Sequence, residues 1–405
     1  MHNPPSFHLL LVTVLSGSLA FGCSKPVNKL DVARLHEIAT PAGGGSAQAN
    51  LTTGPGGETY LSWMETNDAG WPALKFAMKT PTGWSGIRTI TEGDGLVVNY
   101  ADFPSLLAID KNNFAAHWMT AIPNEGEGYN VNVALSHDGG ATWTKPAVPN
   151  RDGTPTEHGF VSLAPLASGG ITAIWLDSRK LEKESTDVAM MAAPISNEGV
   201  AGSETVVDDR VCECCQTSSV AVNGGILTVY RDRSKEEIRD IAIVRFDGKQ
   251  WSSPKLVAND NWMIDACPIN GPAIAAKGND VVVAWFTIVK NMSRINAAFS
   301  TDGGNTFGKP IQVDDGDPVG RVDVVMLESG KAVVSWLEKK EKVAELRAKQ
   351  VQADGAALPA ITIGTTGAGT ASGFPRMELS QGTITFAWTD SVQRKVRTSD
   401  LKLND

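Results

Sequence analysis

Positive charge is in short supply. Lys and Arg total 36 against 45 Asp and Glu, a formal net charge of −9 over 405 residues. A nucleic-acid binder needs a basic face to displace phosphate counterions, so that class is excluded. Long apolar runs are also absent beyond the first 23 residues. No later segment offers the ~18 consecutive apolar residues of a bilayer-spanning helix. No Gly-rich phosphate loop opens a helix pattern, and no helical zinc-protease motif occurs. Cysteine is limited to five positions, yet Cys212, Cys214 and Cys215 fall within four residues. Gly (40) and Pro (21) are frequent beside 20% charged residues, which describes a turn-rich globular chain and not a collagenous or disordered one.

The first 22 residues read as a targeting segment. An apolar stretch runs from Leu9 to Phe21 and is too short to span a bilayer. It ends in Leu19-Ala-Phe-Gly-Cys23, which resembles a bacterial lipoprotein signal with Cys23 as the lipid-bearing residue. The resemblance implies anchoring in the bacterial cell envelope, with residues 23–30 as a linker. Ser24 and Lys25 carry no acidic retention signal, which points to an outer membrane. Two features depart from the pattern: Ala20 stands where an aliphatic is usual, and Met1 to Phe7 lacks Lys and Arg. The alternative is plain secretion after Gly22. With Cys23 lipidated, four cysteines remain in an oxidising compartment.

Beyond the linker the chain repeats. An apolar, strand-like run with an aromatic near its end recurs with that aromatic at Trp63, Trp118, Trp175, Tyr230, Trp285, Trp336 and Trp388. Successive positions are 55, 57, 55, 55, 51 and 52 residues apart. β-rich units of this period are propeller blades. Another apolar run precedes most of them (104–109, 161–165, 218–222, 272–276, 322–326) and reads as an inner strand buried on both faces. A third strand shows alternation, as in 130–134 and 240–244. A fourth is placed near Trp84, Trp143, Trp251 and Phe307. The expectation is an all-β, seven-bladed β-propeller over residues 31–405; a six-bladed ring with one extra unit is the alternative. The last unit lacks room for its outer strand, and 31–38 can supply it, closing the ring and removing its open edges.

Two segments are more specific: Ser136-His-Asp-Gly-Gly-Ala-Thr-Trp143 and Ser300-Thr-Asp-Gly-Gly-Asn-Thr-Phe307. Both match Ser-x-Asp-x-Gly-x-Thr-Trp/Phe, and through them the chain resembles the sialidase-like propellers with Asp-box (BNR) repeats. The box is a turn: Asp and Ser side chains hold the backbone, Gly supplies positive φ, and the aromatic packs beneath the blade. The resemblance implies the fold over nearly all the mature chain and no catalytic role for Asp138 or Asp302. The family's early Phe/Tyr-Arg-Ile-Pro segment is missing; Gly373-Phe-Pro-Arg-Met377 has another order and lies in the last unit. The cysteine run with the later Asp265-Ala-Cys-Pro268 also resembles a feature of exported sialidase-like proteins.

In a blade, the loop before the inner strand and the loop after the second strand open on one face. The first kind carries Asp102, His158, the cysteine run, Cys267, Arg321, Asp323 and Arg376. The second carries Asp177, Arg179, Arg231, Arg233, Glu338 and Asp390. Arg179, Arg231, Arg321 and Arg376 read either as an anion or sugar-carboxylate site, since Arg presents a planar fork to carboxylates, or as members of inter-blade ion pairs.

Three readings of Cys212, Cys214, Cys215 and Cys267 stand side by side. They are disulfides pinning two blades, a thiolate site for copper or zinc with His158 nearby, or a redox site. The crowded run departs from the plain Cys-x-x-Cys of common zinc sites. Two functions fit these features. One is a binding propeller for a carbohydrate or small anion at a Cys- and Arg/Asp-lined axial face, with or without metal. The other is a divergent exo-glycosidase acting on acidic glycans, with Asp102 and Tyr100 as its catalytic candidates.

Overall fold

Each of the seven aromatic strands is the second strand of its own antiparallel sheet in the computed structural model, which describes residues 1–2, 30–123, 126–181, 185–328 and 330–403. The sheets form a seven-bladed β-propeller, as expected. Blade 3 shows the standard order, His158–Pro165, Ile171–Asp177, Val188–Ile195 and Thr205–Val211, from axis to rim. Blade 2 forms three regular strands, and Ala147 bridges Val133 where a fourth would lie. The outer strands of blades 4 and 5 are the short Lys255–Leu256 and Ile311–Gln312, a few residues beyond the aromatics that mark them in the sequence. Leu35–Ile38 pairs with Lys395–Lys402 as the outer strand of blade 7. Leu35 faces Leu401 and Ile38 faces Thr398, so strands from the two ends of the repeat share one blade. The signal segment and Cys23 lie outside the described residues, apart from Met1 and His2. Among the described residues no helix is long and apolar enough to cross a membrane.

The core is divided. Each of the seven apolar clusters spans one blade–blade boundary, such as Trp285 with Leu227 and Val229 between blades 4 and 5. Second strands have a blade on either side, and Ile171–Asp177 is buried throughout. Inner strands are less buried than their apolar sequences imply, because alternate residues face an axial cavity.

The aromatic repeat carries a polar partner. Trp63 Nε1 donates to Glu65, Trp175 to Asp177 and Trp336 to Glu338, at 2.7–2.8 Å. The two-residue spacing places indole and carboxylate on the same side of the strand, so each buried N–H finds an acceptor. Asp177 and Glu338 therefore serve the blade core.

Both Asp-boxes form the expected turn. Asp138 accepts from the Thr142 hydroxyl at 2.7 Å, and Gly140 N–H donates to Ser136 Oγ at 2.8 Å. Asp302 and Ser300 repeat these bonds with Thr306 and Gly304. Trp143 meets Phe76 of blade 1 edge to face, so the first box also wedges two blades together.

Candidate functional site

The inner strands begin with the chain turned into positive φ at Gln48 (56°), Phe160 (54°), Ile269 (49°), Arg321 (58°) and Gly373 (59°). Such a conformation is costly for non-glycine residues and persists only where neighbours enforce it. In three cases the preceding blade holds the turned N–H. Thr389 Oγ1 accepts from Gln48, Asp102 Oδ1 from Phe160 at 2.7 Å, and Asn270 Oδ1 from Arg321 at 2.7 Å. Further bonds join the remaining blades: Gln48 to Asn99 O, Thr217 to Phe160 O, Gly271 N–H to Gln216, and Arg321 to Gly373 O. The result is a closed ring of hydrogen bonds around the axis.

This ring accounts for several expected site residues. Asp102 is 1% exposed, and both of its oxygens are engaged, the second by the Tyr129 hydroxyl at 2.9 Å. Burial pushes its carboxyl up to about 7, against those two donors. It stands where Thr389 and Asn270 stand in other blades, so its place corrects the catalytic assignment. Tyr100 lies close to Arg321, and the two Asp102 oxygens are bonded by Phe160 and Tyr129 and not by Tyr100. Arg321 donates to Ser372 Oγ and Gly373 O and lies over Phe374.

The arginines do not converge. Arg231 is 1% exposed, stacks on Trp262 and donates to three carbonyls, of Asn270, Arg239 and Phe286, at 2.7–3.1 Å. It locks blade 4 to blade 5 and offers no fork to a ligand, a correction to its expected role. Arg179 is paired with Asp177 (2.6 Å), Asp152 (3.1 Å) and Glu204 (3.1 Å). His158 joins that network: Nδ1–H donates to Tyr129 O, and Nε2 faces Asp152 at 3.0 Å. His158 thus lies in blade 3's ion network and is absent from the sulfur cluster, contrary to expectation.

Arg376 alone of the four lines the axial cavity. That cavity of about 880 Å³ is walled by all seven inner strands, within the range of small-molecule sites. Ser105, Ser162 and Ser219 add hydroxyl-bearing residues to the wall. Arg376 stacks over Phe103 and comes within 3.8 Å of Asp323. Glu378, two residues along the same strand, also lines the cavity. Burial, then the charge of Asp323, pushes its carboxyl up to about 8, with Thr53 and Arg376 opposing. Asp323 is raised by burial too, while it accepts from Met377 N–H at 2.7 Å. Glu378 was missed from the sequence; its signal was two charged residues at period 2 in a strand facing the axis.

The cysteines do come together, though away from the cavity. Cys212 Sγ is 3.4 Å from Cys215 Sγ and 3.9 Å from Cys214 Sγ. All four thiols are free; a disulfide needs about 2.05 Å, so the bridges expected as one alternative are not formed here. Cys212 and Cys215, 3.4 Å apart, have Cys-x-x-Cys spacing inside the crowded run. Asn270 N–H points at Cys215 Sγ (3.4 Å), and Arg239 reaches Cys212 Sγ (3.3 Å) and Glu213 (2.8 Å). Exposed Cys267 donates to the other oxygen of Glu213 at 3.4 Å. The Cys214 and Cys215 thiols, aided by the charges of Arg231 and Arg239, hold Cys212 well below the usual thiol range despite burial. Arg239 was not foreseen, because it comes from the loop after the second strand with no motif around it.

No protein-family model matches the chain, and no curated protein matches it in sequence. Solved structures match in fold. An ulvan lyase, a polysaccharide lyase bound to -[GlcA(1-4)Rha3S]-, has TM-score 0.54 and 10% identity, covering 89% of this chain and 92% of its own. An α-L-arabinofuranosidase of Fusarium graminearum, in complex with arabinobiose, has TM-score 0.50 and 13% identity over 91% of this chain and 97% of its own. A protein of unknown function from Dyadobacter fermentans has TM-score 0.51 and 14% identity over 92% and 98%. At these identities the likeness concerns the propeller fold, which hosts many activities.

Proposed function

We propose that the chain is a carbohydrate-binding propeller whose axial cavity takes a small acidic sugar unit. The observation that carries this is Arg376 held beside Asp323 and Glu378 within a cavity of about 880 Å³. Arg376 supplies a cation for a carboxylate, its stacking on Phe103 fixes its plane, and the surrounding serines suit sugar hydroxyls. Two neighbours of the same fold, the ulvan lyase and the arabinofuranosidase, carry bound sugars, which agrees with this reading. Binding of glucuronate and sialate oligosaccharides to the full chain, measured by calorimetry, tests it. Micromolar to millimolar affinity that falls at least tenfold in R376Q is expected. Equal or absent binding across acidic and neutral glycans sinks the proposal.

A second reading, a divergent exo-glycosidase, draws on one observation: two carboxyls share the cavity and Glu378 is held protonated near neutrality, as a general acid must be. Its catalytic carboxyls are then Asp323 and Glu378, in place of Asp102 and Tyr100. Turnover of acidic glycosides lost in E378Q but kept in D102N supports it. For location, the proposal is a lipid-anchored protein of the bacterial envelope. Fatty-acid labelling of the exported chain that survives Cys23→Ser rules that out.

A further inference from the structure

From the four-sulfur corner between blades 4 and 5 we infer a metal site: Cys212, Cys214 and Cys215 bind one thiophilic d10 ion, zinc or cuprous copper, and Cys267 closes the coordination of zinc. The site is independent of what the axial cavity binds, since none of the four cysteines lines that cavity.

Distance is the first support. The sulfurs of Cys212, Cys214 and Cys215 all lie within 4.8 Å of one another, and two of the separations are 3.4 and 3.9 Å. Sulfurs ~2.3 Å from a shared ion at tetrahedral angles stand ~3.8 Å apart. The two edges from Cys212 bracket that length and the third stays within 4.8 Å, so the sulfurs need little movement to share an ion. The backbone also holds the run in place. Cys212 N–H donates to Arg231 O at 3.0 Å, and Asn270 N–H from the next blade points at Cys215 Sγ. Such N–H···S contacts orient thiolate ligands and damp their charge.

Charge is the second support. Arg231 and Arg239 are each 1% exposed. Arg239 is paired with Glu213 and Glu237, but Arg231 bonds only carbonyls and has no carboxylate within ion-pair distance among the described residues. A buried cation without a counterion is costly. Three thiolates around a mono- or divalent ion carry net negative charge beside these two arginines, since Arg239 reaches Cys212 Sγ at 3.3 Å and the Arg231 carbonyl accepts from Cys212 N–H; a disulfide or neutral thiols supply no such charge. The donor set is all sulfur, which selects thiophilic ions over magnesium, calcium or manganese.

Cys267 stands outside this three-sulfur group but close to it. It is exposed, and its thiol contacts Glu213, the residue between Cys212 and Cys214. Zinc prefers four ligands and would recruit it; a cuprous ion is satisfied by three.

The test uses the full exported chain, purified, reduced and stripped of metal by a chelator. Zinc is titrated against a chromophoric indicator, and cuprous ion against a cuprous-specific chelator. One equivalent of one of these ions, bound more tightly than micromolar, is expected. C214S should weaken it at least a hundredfold with an unchanged circular dichroism spectrum; its half-buried position makes it the variant able to fold if C212S does not. C267S should weaken zinc at least tenfold and leave cuprous binding alone. The inference is overturned if the reduced protein binds neither ion stoichiometrically. It is equally overturned if binding persists in C214S.

Discussion

Phe160 N–H donates to the Asp102 carboxylate at 2.7 Å across the boundary between blades 2 and 3. The bond holds Phe160 in its positive-φ turn, and the price is a carboxyl buried at 1% exposure. Folding raises its pKa from 3.8 to about 7, mainly by burial. The native state therefore keeps a proton that the unfolded chain releases. The stability this provides is complete below pH ~4 and is lost as pH rises through ~7. Urea denaturation should show the chain losing roughly 3 kcal/mol from this group between pH 5 and pH 8. D102N keeps an oxygen acceptor and should flatten that difference. An unaltered pH profile in D102N would show that another group is responsible.

Arg231 gives a contrasting prediction. Its guanidinium satisfies the carbonyls of Asn270, Arg239 and Phe286, all inside the blade 4–5 boundary. Arg231→Gln leaves buried acceptors unpaired and should cost on the order of 3–5 kcal/mol in chemical denaturation. Lysine should not rescue it, since a point ammonium cannot reproduce the planar fork. Sugar affinity of the folded fraction should stay unchanged. A variant that keeps its stability but loses ligand binding would return Arg231 to the role first expected of it.

Much of the architecture was legible because it repeats. A period of 51–57 residues locates seven blades, and a C-terminal unit one strand short points to the N-terminal strand that closes it. The Asp-box turns are dictated by the side chains that build them. Burial was less legible: the apolar inner strands read as doubly covered, but periodicity cannot report an axial cavity on one side. Site residues divide in the same way. Cys215 and Cys267, 52 residues apart, lie in the same entry loop of successive blades, so blade order alone could place the sulfur corner. Arg231 and Arg376 look alike in a sequence; only packing sends one into a blade boundary and the other into the cavity. Arg239 lies in a loop, where no periodicity determines direction.

Glu378 and Arg376 should make acidic-sugar binding depend on pH. Glu378 titrates at about 8, pushed up by burial and by Asp323. Below that value it is neutral and can donate to a bound carboxylate; above it, its charge repels the ligand and competes for Arg376. Affinity for glucuronate should fall about tenfold or more between pH 6.5 and pH 9.5, the effect of losing one charge-assisted hydrogen bond. E378Q should bind independently of pH over that range. Asp323 faces the same space, its carboxyl also raised by burial, and is present in both proteins compared. Calorimetry at the two pH values settles the matter: equal affinities for the parent chain would place the sugar elsewhere.

The glycine pair of the first Asp-box separates backbone strain from packing. Gly139 and Gly140 adopt φ of 72° and 82°, so alanine at either position carries a similar conformational penalty. Their surroundings differ. A Cβ on Gly139 would have its nearest neighbour at 3.6 Å, an ordinary contact, whereas one on Gly140 would collide with the Phe76 ring of blade 1. Phe76 is itself fixed between Phe114 and Trp143, so it has little room to yield. G139A should therefore cost about 1 kcal/mol, and G140A about 2–4 kcal/mol through the added overpacking. In the second box, Gly304→Ala should behave like G140A, since its Cβ would approach Leu227 at 2.9 Å. Thermal or urea unfolding of the three variants tests this. Equal losses in G139A and G140A would mean that the box acts as an isolated turn and does not wedge neighbouring blades.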